Sequence, residues 1–156
     1  MEGFSIRPAT VDDLAAVLAI EKEVHVAPWA QDGFASELVK PYSRFWLLTD
    51  DETDAQVAAY IVFWVVSEEC RILNLAVALG FRGMGLAQNL VRSAVRDAMT
   101  EGVKRAELEV RKSNQPAIDL YQKLGFTIIQ VRKSFYSNGE DAYIMELLLE
   151  GERSDF

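Results

Sequence analysis

The N-terminal part of the chain passes from a short strand pattern to a helical one. Residues 4–7 favour a strand. The run Thr10-Val11-Asp12-Asp13 then resembles a capping box, in which a threonine and a later acidic residue satisfy backbone N–H groups at a helix start. Apolar residues recur beyond it at helical spacing, at Leu14, Val17, Leu18 and Val24. The pattern predicts a helix that ends before the break at Pro28.

The following stretch is typical of β-strands. Residues 44–49 and 57–66 are rich in aromatic and β-branched side chains, and a polar Asp/Glu/Thr segment separates them. Two such runs joined by a polar turn predict a hairpin. Residues 71–77 are expected to form the next strand.

A strongly amphipathic helix is predicted from Leu86 to about Gly102. Its apolar stripe consists of Leu90, Val91, Ala94, Val95 and Ala98. The residues predicted to face water are Arg92, Arg96 and Asp97. Residues 105–110 then alternate between apolar and acidic positions, which predicts a strand with one polar face that carries Glu107 and Glu109.

The C-terminal part predicts one more helix and two strands. Pro116 suits a first helical turn, and Gly125 suits the stop after Leu124. Residues 126–132 and 142–149 read as strands, joined through the strong turn signal Asn138-Gly139. The full order is β-α-α-β-β-β-α-β-α-β-β, which predicts a mixed α/β fold.

Composition and charge narrow the possible functions. The chain has 156 residues, of which 50% are hydrophobic, enough for one sizeable core. We therefore expect residues 1–150 to form a single domain and residues 151–156 a short tail. A net charge of -8 disfavours nucleic-acid binding, which depends on Lys and Arg. A basic peptide or a small amine suits this charge better.

The cysteine count and the N-terminus bear on location and metal content. Cys70 is the only cysteine, which excludes an internal disulfide and a multi-cysteine zinc site. Residues 1–7 lack the basic and apolar regions of a leader, and no segment approaches the length that spans a bilayer. We expect a cytoplasmic protein without a membrane partner. No spacing of His, Cys and carboxylates suggests a metal.

The run Arg82-Gly83-Met84-Gly85-Leu86-Ala87 lies between an apolar strand and the amphipathic helix. A glycine-containing turn that opens a helix offers unpaired backbone N–H groups to an anion, and the helix dipole adds favourable potential. A pyrophosphate fits such a site. Taken alone, the run is equally compatible with a plain turn.

This loop and the order of elements together resemble the GNAT superfamily of acetyl-CoA-dependent N-acetyltransferases. The family's loop pattern, Gln/Arg-x-x-Gly-x-Gly/Ala, is matched at Arg82, Gly85 and Ala87. The segments Leu108-Glu109-Val110-Arg111, Ser113-Asn114 and Glu140-Asp141-Ala142 extend the resemblance over nearly the whole chain. They are similar to those of bacterial enzymes that acetylate the N-terminal alanine of a small-subunit ribosomal protein.

The resemblance implies a fold and an acetyl-CoA site. The fold is a mixed sheet of about seven strands flanked by about four helices, in which two splayed strands form the acetyl-CoA cleft. The pantetheine arm would bind the exposed strand end like an added strand. The residues that the resemblance assigns to acetyl-CoA are Leu75, Ala76, Val77, Arg82, Gly83, Met84, Gly85, Leu86, Ala87 and Asn114. From the residues alone, Leu75 to Val77 read as a core strand and Asn114 as a helix cap.

The resemblance also implies two catalytic residues. Glu109 matches the family's general base and Tyr121 its general acid, whereas a solvated glutamate and a core tyrosine are the plain alternatives. His25 is the only histidine, and no nucleophile motif surrounds it. We therefore expect a direct transfer without a covalent acyl-enzyme.

The acceptor implied by the resemblance is the α-amine of a protein N-terminus, that of the N-terminal alanine of a small-subunit ribosomal protein. The regions expected to bind it are residues 25–38 and 135–141. Two alternatives stay open at this point. One is an acetyltransferase for lysine side chains or a small amine, and the other is a non-catalytic acyl-CoA sensor.

Overall fold

The computed structural model describes residues 1–149 and 156. The strands are β1 (Phe4–Pro8), β2 (Ser43–Asp50), β3 (Gln56–Val66), β4 (Glu69–Val77), β5 (Arg105–Arg111), β6 (Thr127–Arg132) and β7 (Ala142–Leu148). The helices are α1 (Leu14–Val24), α2 (Gln31–Glu37), α3 (Leu86–Thr100) and α4 (Gln115–Lys123). The predicted order of elements and the mixed α/β class are confirmed.

The predicted capping box is present and anchors the start of the first helical segment. The Thr10 N–H donates to Asp13 Oδ2 at 2.8 Å, and the Arg7 guanidinium donates to both Asp13 oxygens at 2.8 Å. The hydrogen bond from Arg7 lowers the pKa of Asp13 to about 2. The turn that this box opens, Val11–Asp13, is a 3-10 turn, and the α-helix begins only at Leu14.

One seven-stranded sheet runs through the described chain, in the order β1-β2-β3-β4-β5-β7-β6. Its single parallel pair, β4 with β5, is joined by the α3 crossover. This pairing extends only from Glu69↔Arg105 to Ile72↔Leu108. Beyond Ile72, where the register between β3 and β4 also shifts, the two strands diverge. The splayed strands that the resemblance implied are confirmed.

Both faces of the sheet are covered over its central strands. The larger core cluster packs α3 and α4 against one face, with Leu90, Val91 and Ala94 fully buried as their helical spacing predicts. The smaller cluster packs α1 and α2 against the other face through Val17 and Phe34. Cys70 lies in the larger cluster, where burial raises the pKa of its thiol to about 12. The thiol therefore stays protonated and unreactive.

Two of the residues predicted to face water, Arg92 and Asp97, are half-buried, whereas Arg96 is exposed. The Cζ of Arg92 lies 6.0 Å from the ring centroid of Phe156. The backbone oxygen of Phe156 accepts a hydrogen bond from Arg96 as well. The C-terminal residue thus covers part of the polar side of α3, a long-range contact that helical periodicity does not encode. The rest of the predicted tail, residues 151–155, lies outside the described residues.

The β6–β7 connection is longer than a tight hairpin turn. Strand β6 ends at Arg132 and β7 begins at Ala142, so the loop spans residues 133–141. The predicted Asn-Gly turn lies within it, with Gly139 at a φ of +87° and the Glu140 N–H donating to Asn138 Oδ1 at 3.0 Å. Among the described residues, no helix combines the length and apolar character needed to cross a membrane.

Candidate active site

A cleft of about 970 Å³ opens where β4 and β5 diverge. The predicted site residues that line it are Leu75, Ala76, Val77, Arg82, Gly83, Gly85, Leu86, Ala87, Glu109, Asn114 and Tyr121. Met84 does not line it, and its side chain is exposed. Four segments between residues 75 and 121 therefore converge on one cavity, with the glycine loop and both candidate catalytic side chains on its walls.

The glycine loop has the backbone geometry that an anion cradle requires. Gly83 and Gly85 have φ values of +80° and +77°, in the left-handed region that favours glycine. Gly85 is the N-cap of α3 and provides no side-chain cap for the first turn. The first N–H groups of this long helix are therefore available to a ligand or to water. A Cβ at either glycine would meet no atom within 4 Å, so the space in front of the loop is open.

The free edge of β4 continues the cleft inward. On one side Leu75, Ala76 and Val77 pair with β3, opposite Ile61, Tyr60 and Ala59. On the other side these three residues pair with no strand of the described chain, because the pairing with β5 has already ended at Ile72. Unpaired backbone groups at a strand edge can accept an extended ligand as an additional strand. The geometry fits the predicted binding site for a pantetheine arm.

Glu109 lies on β5 immediately beyond Leu108, the last residue of this strand that pairs with β4. Its side chain is 16% exposed, and Oε1 accepts a hydrogen bond from Nη2 of Arg71 on β4. The same guanidinium donates through Nη1 to Glu107 at 3.2 Å. Among the described residues, no group donates a hydrogen bond to Oε2 of Glu109. One carboxylate oxygen is held by the protein and the other is available in the cleft.

Tyr121 projects from α4 into the wall of the same cleft. It is buried and packs edge-on against Phe126, with the ring centroids 5.5 Å apart. Burial, and secondarily the nearby Tyr136, raises the pKa of Tyr121 well above its usual range. The phenol therefore keeps its proton at neutral pH, as a proton or hydrogen-bond donor must.

Asn114 fulfils the structural role that its sequence position favours. Its Oδ1 accepts a hydrogen bond from the Ala117 N–H at 3.3 Å, which caps α4. The side chain also lines the cleft. The helix cap is confirmed, and the contact with CoA stays a prediction.

The sequence analysis missed a buried carboxylate beside the cleft. Glu21 is 1% exposed, and its oxygens accept hydrogen bonds from the Tyr60 hydroxyl at 2.6 Å, the Trp29 N–H at 3.0 Å and Asn74 Nδ2 at 3.1 and 3.2 Å. These bonds tie together α1, the α1–α2 connection and the splayed part of β4. One signal for it exists in the sequence, because Glu21 continues the apolar spacing of Leu14 and Val17.

Replacing Glu21 by alanine should destabilise the fold. The change leaves the donors on Tyr60, Trp29 and Asn74 without their acceptor, so the free energy of unfolding should fall by about 3 kcal/mol. Urea unfolding measures this change. The control is Glu23→Ala, an exposed position on the same helix that should shift stability by less than about 0.5 kcal/mol. Equal values for the two variants would mean that the Glu21 hydrogen bonds add no net stability.

The β6–β7 loop also lines the cleft, through Tyr136 and Ser137. Arg111 at the end of β5 holds this loop. It donates to Glu140 Oε1 at 3.1 Å, and its Cζ lies 3.9 Å from the ring centroid of Tyr136. Glu140 Oε2 in turn accepts from the Ser113 N–H at 3.1 Å, and these bonds lower the pKa of Glu140. The loop is thus fixed to the end of β5.

A model of the acetyltransferase (GNAT) family matches residues 14–126 of this chain. The chain belongs to the GNAT family. A Salmonella typhimurium protein named ribosomal protein bS18-alanine N-acetyltransferase is 36% identical over 138 residues, which cover 86% of this chain and 90% of that protein. An N-alpha-acetyltransferase of Sulfurisphaera tokodaii is 30% identical over 156 residues, covering 91% of each.

The solved structures agree with the family assignment. The crystal structure of the ribosomal-protein-S18-alanine N-acetyltransferase from Escherichia coli superposes with a TM-score of 0.85 at 31% identity and covers 98% of both chains. As a GNAT family member, the chain is an N-acetyltransferase that uses acetyl-CoA as its acetyl donor. The predicted enzyme class and donor are confirmed, and the non-catalytic sensor is set aside. Within the described part of the chain, no three His, Cys, Asp or Glu residues are grouped to hold a metal ion.

Proposed function

We propose that this GNAT enzyme acetylates the N-terminal α-amine of a protein, with the N-terminal alanine of ribosomal protein bS18 as its acceptor. The observation that carries the proposal is the placement of Glu109 and Tyr121 on one cleft with the glycine loop. The names of the Salmonella and E. coli relatives, similar over most of both chains, support the choice of acceptor.

The proposed acetyl-CoA site uses the glycine loop and the free edge of β4. The backbone N–H groups of residues 82–87 and the positive end of α3 bind the pyrophosphate, with the exposed Arg82 adding a cationic side chain. Leu75, Ala76 and Val77 bind the pantetheine amides along β4. This arrangement brings the thioester to the point where the strands diverge, beside Glu109.

The proposed chemistry is a direct transfer. The neutral amine attacks the thioester carbon, and the proton that the nitrogen loses goes to Oε2 of Glu109 or to a water held there. When the tetrahedral intermediate collapses, the carbon–sulfur bond breaks and Tyr121 donates its proton to the departing sulfur. An α-amine, with a pKa near 8 against about 10.4 for lysine, is about 3 kcal/mol easier to deprotonate at neutral pH. A carboxylate base is therefore better matched to an N-terminal amine than to a lysine side chain.

The acceptor enters between two fixed walls. The hydrogen bonds of Glu21 hold one of them, which carries His25 and Trp29, and Arg111 holds the other, which carries Tyr136 and Ser137. We further propose that residues 1–150 form one catalytic domain, because a single sheet extends from β1 to β7. The enzyme then acts in the cytoplasm, where ribosomal proteins are synthesised.

A peptide panel tests the acceptor. We expect a peptide with a free N-terminal alanine followed by basic residues to be acetylated. The same peptide with a blocked α-amine should not react, even though its lysines remain. The apparent KM for the free peptide should rise with ionic strength, because salt screens the attraction to an enzyme of net charge -8. Equally fast acetylation of the blocked peptide on lysine would replace the α-amine with a lysine or small-amine acceptor.

A further inference from the structure

Arg71 lies on β4, next to the point where β4 and β5 begin to diverge. It pairs with Glu107 in the parallel ladder, one position before the ladder ends at Ile72↔Leu108. Side chains two residues apart on a strand share a face, so Glu109 lies on the same side of the sheet as Glu107. The Arg71 side chain spans from β4 to β5 and donates to both carboxylates, through Nη1 to Glu107 and Nη2 to Glu109.

The Arg71–Glu109 ion pair is partly buried. The side chains of Arg71 and Glu109 are 26% and 16% exposed, so the pair is screened less than a surface ion pair. A guanidinium cannot lose its proton in a protein, which excludes Arg71 as a general base. Its planar fork restricts the orientation of the carboxylate that it binds. This restriction acts on the group proposed to accept the amine proton.

We propose that Arg71 is a positioning residue for Glu109 in acetyl transfer. By occupying Oε1, it fixes the rotamer of Glu109 and leaves Oε2 as the oxygen that receives the amine proton. Arg71 does not line the cleft, so we expect its replacement to leave acetyl-CoA affinity nearly unchanged. This inference rests on the proposed role of Glu109.

The same pair of strands offers a matched control. Arg105 Nη2 donates to Glu69 Oε2 at 3.0 Å, so a second arginine–glutamate pair crosses between β4 and β5 at the opposite end of the ladder. Neither residue lines the cleft. Replacing Arg105 by methionine removes a cross-strand ion pair without changing the surroundings of Glu109.

The test compares Arg71→Met, Arg71→Lys and Arg105→Met in steady-state kinetics, acetyl-CoA calorimetry and thermal unfolding. We expect Arg71→Met to lower kcat by about 10-fold or more while acetyl-CoA affinity stays within about 2-fold. Arg71→Lys should retain part of the kcat that Arg71→Met loses, because lysine keeps the positive charge but lacks the planar guanidinium. Arg105→Met should leave kcat within about 2-fold of the parent.

A double-mutant cycle with Glu109→Gln tests whether Arg71 affects kcat through Glu109. If Arg71 acts through Glu109, adding Arg71→Met to Glu109→Gln should lower kcat by no more than about 2-fold further. A full additional loss, or an Arg71→Met variant as active as Arg105→Met, would overturn the inference while the role of Glu109 stands. If Glu109→Gln alone keeps the parent kcat, the proposed base is wrong, and the role of Arg71 is wrong with it.

Discussion

We expect Glu109→Gln to lower kcat by about 100-fold or more while acetyl-CoA affinity changes little. Glutamine keeps the size and polarity of the side chain but cannot accept the amine proton. Tyr121→Phe should cause a loss of similar size, because the buried phenol whose pKa is raised by its surroundings is the proposed proton donor to the sulfur. Steady-state kinetics with the alanine peptide measures kcat, and calorimetry measures acetyl-CoA binding.

Two control variants distinguish the proposed catalytic roles of Glu109 and Tyr121 from general effects of a substitution on the sheet. Glu107→Gln changes the neighbouring carboxylate on the same face of β5, which also binds Arg71 but does not line the cleft. Tyr143→Phe removes the hydroxyl of a tyrosine on β7, also outside the cleft. Both controls should keep kcat within about 3-fold. Parent-like turnover in Glu109→Gln and Tyr121→Phe would leave proximity as the main source of catalysis.

We expect Gly85→Glu to lower acetyl-CoA affinity by about 100-fold or more. The new side chain places bulk and a negative charge in the open space before the loop, where the pyrophosphate is proposed to bind. It also forces a non-glycine residue into the left-handed region, at a cost of about 1 kcal/mol. Calorimetry on the folded variant gives the affinity, and Gly85→Ala separates the backbone strain from the charge.

The control for Gly85→Glu lies at the other end of the same helix. Gly102 follows α3 with a φ of +88° and equally open surroundings, but it does not line the cleft. Gly102→Glu should therefore carry a similar strain with acetyl-CoA affinity within about 2-fold of the parent. Unchanged acetyl-CoA affinity in Gly85→Glu would show that the pyrophosphate does not bind at this loop.

The sequence predicts the elements of this fold well, because their signals are local. Periodicity identifies α3 and β5, the Thr10 capping box identifies the 3-10 turn that leads into α1, and the Asn138-Gly139 pair identifies a turn. The resemblance to the GNAT family then supplies the location of the cleft. Every predicted site residue except Met84 lines it.

The remaining contacts depend on strand pairing and on packing between distant parts of the chain, which local sequence patterns do not encode. Arg71 reaches Glu109 only because β4 and β5 pair in parallel with a particular register. Glu21 on α1 accepts a hydrogen bond from Asn74, which lies on β4 just beyond the register shift near Ile72. Arg92 is covered by Phe156 through a contact between distant parts of the chain. Each depends on tertiary packing, which overrides the exposure expected from periodicity alone.

Mass-spectrometric mapping of the acetylated atom tests the proposed function most directly. Purified ribosomal protein bS18 with a free N-terminal alanine would be incubated with acetyl-CoA and either the enzyme or its Glu109→Gln variant. We expect a single acetyl group on the α-amine of that alanine, formed far more slowly with the variant. Acetylation of lysine side chains with the α-amine left free, or no enzyme-dependent acetylation of this protein, would contradict the proposed function.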